Sequence, residues 1–160
     1  QVLVGGLGMG YTLAAALKAV NTQSQVTVAE LVPDVVEWNQ GPLGNCAGNP
    51  LQDPRTLVHI GDVKQLLTSR HPTFDAILLD VDNGPKGLTH SDNNLIYSED
   101  GLKDIYDTLQ PNGMLAIWSA GPDYLFTMRL KKIGFRVDTR NVQARPKKGS
   151  QHTIFLAKKL

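Results

Sequence analysis

The feature that most constrains this chain is a glycine run, Gly6-Leu7-Gly8-Met9-Gly10. It lies between the apolar Val2-Leu3-Val4 and the helix-like Tyr11-Thr12-Leu13-Ala14-Ala15-Ala16-Leu17-Lys18. A strand that breaks into glycine and then into a helix brings bare backbone against whatever binds there. Glycine admits positive φ and has no Cβ to hold a ligand away. Dinucleotide-binding loops ask for G-x-G-x-x-G, but Tyr11 stands where the last glycine of that pattern would fall. The spacing here is G-x-G-x-G, which suits a nucleoside carrying an amino-acid tail better than a pyrophosphate.

The elements that follow alternate. Apolar periodicity predicts strands over 1–4, 25–29, 56–60, 74–79 and 114–118. Helices are predicted over 11–20, 33–38, 63–69, 98–109 and 123–132, with long loops over 40–54 and 84–94. Pro33 and Asp34 suit the first turn of a helix. Gln110-Pro111-Asn112-Gly113 is a helix stop. Segments 135–142 and 153–157, joined by a turn rich in Pro, Gly, Lys and Ser, read as an antiparallel pair. Strands apolar on both faces and alternating with helices imply an α/β three-layer sandwich, Rossmann-like, with a mostly parallel sheet covered on each side. Ligands of such sheets sit beyond the carboxyl ends of the strands.

At 160 residues the chain is predicted to be a single nucleoside-binding catalytic domain. It begins on Gln1 inside a strand, so an upstream segment is expected. With 41% hydrophobic residues, 19% charged residues and a formal charge of +1, it reads as a soluble globular protein. That balance predicts no general affinity for nucleic acid or membrane. With no leader and no long apolar run, a cytoplasmic location is the default. The single Cys46 excludes an internal disulfide and is read as a small buried or loop residue. His59, His71, His90 and His152 lack ligand spacing, so no metal is expected.

Acids recur where strands end. The second strand runs into Glu30, the third into Gly61-Asp62 and the fourth into Asp80-Val81-Asp82. One such acid is ordinary turn chemistry or a helix cap; several on one rim of one sheet point to a ligand. Glu30 is placed to accept ribose hydroxyls, with Leu31 beside it. Asp62 is placed to accept an adenine amine or to cap the next helix, and Val63 offers a backbone N–H to the ring.

Here the sequence resembles a known family. Val2-Leu3-Val4-Gly5-Gly6-Leu7-Gly8-Met9-Gly10-Tyr11-Thr12-Leu13 is similar, without a gap, to the nucleotide loop of the spermidine synthase (polyamine aminopropyltransferase) family. Val28-Ala29-Glu30-Leu31-Val32-Pro33-Asp34-Val35-Val36 resembles its ribose segment. Asp53-Pro54-Arg55, His59-Ile60-Gly61-Asp62 and Phe74-Asp75-Ala76-Ile77-Leu78-Leu79-Asp80 are also similar. The resemblance implies the class I S-adenosylmethionine-dependent methyltransferase fold, with seven strands and an antiparallel closing pair. It also implies a nucleoside site formed by Gly6, Gly8, Gly10, Glu30, Leu31, Asp62, Val63 and Asp80, Asp80 being the family's acid–base residue. A homodimer is left open.

The acceptor side departs from the family. Its strand-four motif Asp-Ser-(Ser/Thr)-Asp-Pro is Asp80-Val81-Asp82-Asn83-Gly84 here, and Trp118-Ser119-Ala120-Gly121 supplies neither the glutamine nor the acid usual after strand five. Asp80 and Asp82 are the expected catalytic acids, and Asp82, Asn83 and Tyr97 the expected acceptor contacts. Tyr97 alternatively packs against the sheet. Trp118 either faces adenine or acceptor or is buried, and Trp38 packs its helix. Asn93 and Asn94 bind substrate or make turns, while Arg145, Lys147 and Lys148 form a solvated basic turn. The expected chemistry is aminopropyl transfer from decarboxylated S-adenosylmethionine to a small amine. The alternatives are methylation of a small molecule by S-adenosylmethionine and a silent nucleoside-binding module.

Overall fold

The apolar residues of β1 (Val2–Gly5) are buried along the whole strand, as the middle of a sheet covered on both faces requires. In the computed structural model, which describes residues 1–68, 71–81, 93–143 and 151–160, β1 pairs in parallel with two strands. These are β2 (Val26–Glu30) on one side and β4 (Phe74–Leu79) on the other. β3 (Thr56–Ile60) flanks β2 and β5 (Leu109–Ser119) flanks β4, both in parallel. β7 (Gln151–Lys159) runs antiparallel to β5, and β6 (Phe135–Gln143) runs antiparallel to β7. The order of the seven-stranded sheet is β3-β2-β1-β4-β5-β7-β6. The α/β class, the parallel sheet and the closing hairpin therefore stand as expected.

Helices α1 (Tyr11–Ala19) and α2 (Pro33–Gln40) pack Leu13, Leu17 and Val36 onto Val2, Val4, Val26 and Val28. On the opposite face lie α3 (Lys64–Leu67), α4 (Asn93–Ile96), α5 (Glu99–Thr108) and α6 (Tyr124–Ile133). They bury Leu67, Ile96, Leu102, Ile105 and Phe126 against Leu3, Ile77, Leu79, Leu115, Ile117 and Phe155. Each fully buried side chain of this size contributes about 1.5–3 kcal/mol, so the two apolar faces hold the layers together. Beyond β4, on the α1 face, Met114, Ala116, Trp118, Ile154 and Leu156 are only half-buried.

Several local expectations change. The loop over 40–54 contains two 3-10 turns, Gly44–Ala47 and Pro50–Gln52. Cys46 is exposed within the first of them. A short helix, α4, precedes Tyr97 where loop was expected. The stop Gln110-Pro111-Asn112-Gly113 does end α5, but it belongs to β5: the register against β4 jumps from Phe74–Leu109 to Ala76–Met114, with Asn112 at φ 65. Extra residues on one strand are absorbed as a bulge, and asparagine tolerates the left-handed turn. Trp38 is 52% exposed and does not pack its helix inward, because Val36 and Asn39 form the buried stripe of α2. Asp82, Asn83, the rest of the 84–92 loop and the basic turn of Arg145, Lys147 and Lys148 lie outside the described residues.

Candidate active site

The site begins where β1 leaves the sheet. Gly6 N donates to Ala29 O at 2.9 Å, Asp80 N donates to Gly5 O at 2.9 Å and Gly61 N donates to Glu30 O at 2.9 Å. Ladder bonds thus continue one step past the strands and stitch four carboxyl ends into one rim. Gly6 has φ 87, and a Cβ there would stand 2.5 Å from the Asp80 carbonyl oxygen, so no other residue fits. Gly8, at φ 50, faces open space.

Gly10, at φ 82, caps α1, and a Cβ on it would lie 3.1 Å from both Asn39 Oδ1 and Pro50 Cγ. Asn39 is 2% exposed, and its Nδ2 donates to Gly8 O at 2.8 Å and to Val35 O at 2.9 Å. This residue, missed in the sequence, bolts α2 to the glycine loop. Its signal was a polar residue three positions after Val36 on the apolar stripe of a short helix.

Glu30 accepts Leu7 N at 2.9 Å on Oε2 and Val32 N at 3.0 Å on Oε1. Each carboxylate oxygen keeps a further lone pair, so the side chain shapes the loop and can still accept from a ligand. Leu31 beside it is 66% exposed at the mouth. Asp62 accepts Lys64 N at 2.9 Å on Oδ1, and Oδ2 lies 3.3 Å from Lys64 Nζ. Asp62 thus meets the first N–H of α3 from the residue before its cap, Val63, with a half-buried carboxylate that keeps lone pairs for a ligand. Val63 is a buried side chain, packed where Gly5 passes.

Asp80 is exposed at the end of β4, and Thr12 Oγ1 donates to its Oδ2 at 2.8 Å. Thr12 was not singled out from sequence; its place in the first turn after the glycines was the available clue. Tyr97, expected to touch an acceptor, is 2% exposed, edge-on to Phe126 at 5.7 Å, with its hydroxyl 3.5 Å from Val81 O. The structure corrects that assignment towards the packing reading: α4 turns the ring into the core beneath the strand end.

Away from this rim, Arg55 Nε and Nη2 donate to Asp53 Oδ1 and Oδ2 at 3.0 and 2.8 Å, and Nη1 reaches Val20 O and Asn21 O at 3.3 and 3.2 Å. The guanidinium's hydrogen bonds hold the Asp53 carboxyl down to about 2. The resembling Asp53-Pro54-Arg55 segment is thus a clamp on the end of α1, beside a groove lined by Leu17, Lys18 and Pro50. Among the described residues, no group of three or more His, Cys, Asp or Glu could hold a metal. No described helix is long and apolar enough to cross a membrane.

A parallel sheet whose strand order reverses between β1 and β4, with glycine and acids on its carboxyl rim, defines a Rossmann-like α/β fold of the methyltransferase type. Comparison with known proteins agrees. The model of the spermine/spermidine synthase domain matches residues 1–128. The chain is 26% identical over 124 residues to a polyamine aminopropyltransferase of Sulfolobus acidocaldarius, covering 78% of this chain and 40% of that protein. The spermidine synthase of Thermotoga maritima superposes with a TM-score of 0.79 at 21% identity, over 99% of this chain and 53% of that one. Human methyltransferase-like protein 13, solved with SAH, superposes at 0.70 and 22% identity, over 96% and 69%. The chain belongs to the spermine/spermidine synthase family, and it spans less than half the length of the curated relative.

Proposed function

We propose that this domain binds a sulfonium nucleoside on the carboxyl rim of β1–β4 and transfers its aminopropyl group to a small amine. The observation that carries this reading is Asp80. Its exposed carboxylate stands where the sheet reverses direction, beside the glycine loop, with one oxygen fixed by Thr12. Family membership and the relative's name, polyamine aminopropyltransferase, support the reaction class. The SAH complex of the methyltransferase neighbour supports a nucleoside of this type.

In this reading Gly6 and Gly8 let the ligand approach the backbone, Glu30 accepts the ribose hydroxyls and Asp62 accepts the adenine amine. Leu31 lies beside the ribose, and Val63 offers its backbone N–H to a ring nitrogen of the base. Decarboxylated S-adenosylmethionine is then a substrate. The amine lone pair attacks the propyl carbon beside the sulfonium, a C–N bond forms, and the C–S bond breaks with its electrons returning to sulfur. A neutral thioether leaves. An alkylamine near pKa 10 is protonated at neutral pH, so Asp80 takes a proton from nitrogen and Thr12 holds the carboxylate in place. Asp82 and Asn83, next along the chain, complete the acceptor contacts in this proposal.

The test offers the protein S-adenosylmethionine or its decarboxylated form, each with a primary amine, and weighs the products. An aminopropyl gain is expected; a methyl gain alone would move the reaction to methyl transfer. Asp80→Asn should bind nucleoside normally and lose turnover by about a hundredfold or more. Unchanged turnover would make Asp80 structural.

A further inference from the structure

We infer that Asn39 is a positioning residue for the nucleoside: it holds the glycine loop in its binding shape, so that filling the rim and ordering α2 with the turns after it are one equilibrium. The inference rests on the nucleoside site proposed above and adds a residue outside its contacts.

The loop has little with which to hold itself. Gly6, Gly8 and Gly10 all lie at positive φ, 87, 50 and 82, and glycine gives up more conformational freedom on ordering than any other residue. Its two ends are tied: Gly6 N donates to Ala29 O at 2.9 Å, Leu7 N to Glu30 Oε2 at 2.9 Å and Gly10 N to Leu7 O at 2.8 Å. In the middle, among the described residues, the hydrogen bond that reaches Gly8 comes from Asn39 Nδ2, at 2.8 Å to the carbonyl oxygen.

The Asn39 amide is buried at 2% exposure, and its second N–H goes to Val35 O, one turn back in α2, at 2.9 Å. Two carbonyl acceptors use both hydrogens of Nδ2 and fix which end of the amide is nitrogen. Oδ1 is then turned to Gly10, 3.1 Å from where a Cβ would stand, and it is buried with no donor among the described residues. A buried acceptor left without a donor costs about as much as two neutral hydrogen bonds return. Asn39 therefore adds little net stability; what it supplies is the position of the Gly8 carbonyl.

The same residue carries the turns beyond α2. A Cβ on Gly44 would stand 2.5 Å from Asn39 O, and Asn49 N donates to Gly44 O at 2.7 Å, so the 44–49 turn packs on the Asn39 backbone. Pro50 and Ala47 close on Gly10 from that side. Coupling between two sites is reciprocal. If Asn39 raises nucleoside affinity by shaping the loop, bound nucleoside holds the Asn39 latch and the turns behind it more tightly by the same factor.

The test titrates methylthioadenosine, by calorimetry, into the wild type, Asn39→Ala and Ser98→Ala. Amide hydrogen exchange at Gly44 and Asn49 is followed with and without it. Asn39→Ala should bind at least tenfold more weakly with its Tm close to wild type. Ser98→Ala, which loses stability at a helix cap elsewhere, should keep its affinity within twofold. In the wild type, methylthioadenosine should slow exchange at Gly44 and Asn49 at least threefold. Affinity of Asn39→Ala within twofold of wild type overturns the inference. So does wild-type exchange at Gly44 and Asn49 that ignores the ligand, a result that decides the matter even where Asn39→Ala does not fold. Absence of methylthioadenosine binding to the wild type would overturn the nucleoside reading itself.

Discussion

Glu30 is proposed to serve the site twice: its two oxygens hold the N–H groups of Leu7 and Val32, and each keeps a lone pair that a ligand could use. Glu30→Ala should weaken nucleoside binding by about 2–3 kcal/mol, the worth of charge-assisted bonds in a dry site. Titration with the nucleoside checks it, and unchanged affinity would remove the ribose assignment. This acid was legible in sequence because strand ends are easy to read from apolar runs. Its second task was not, since the bond to Leu7 crosses 23 positions. Asn39 and Thr12 were hidden for the same reason: each acts on a residue that only folding brings near.

Among the elements, the pair α5 and α6 shows what capping does. Ser98 accepts Gly101 N at 3.1 Å and Asp123 accepts Phe126 N at 3.0 Å, so each helix starts on a side chain that satisfies an orphan donor. Lys132 Nζ then meets Glu99 at 2.7 Å across the two helices. Ser98→Ala should cost about 1 kcal/mol, visible as a lower Tm with nucleoside affinity retained; an unchanged Tm would show that the cap is idle. The starts of these helices were readable to within a residue. β5 was not: its Pro-Asn-Gly segment looks like the end of one element and the beginning of another. Pairing with β4 makes it one strand with a bulge, a decision taken by the neighbouring strand.

At the scale of the molecule, the clamp between Asp53 and Arg55 ties the entrance of β3 to the end of α1. Its carboxyl is held at about 2, below the ordinary 3.8. Because the folded value is depressed, the stabilisation is complete above 3.8 and lost as pH falls towards 2. Thermal melts across that window should show wild type losing Tm more steeply than Asp53→Asn. Parallel curves would mean the clamp does not contribute.

Residue order alone determined the α/β class, the strand sequence, the antiparallel closing pair and the acids at the strand ends. All of these follow from local periodicity and turn chemistry, which operate over a few residues. The tertiary structure alone decided that Tyr97 turns inward, that Asn39 holds the glycine loop, and that the His152 ring lies 4.8 Å from the Trp118 indole. Those relations depend on sheet register and on which helix covers which face, and a register is settled only when distant strands compete for the same partners.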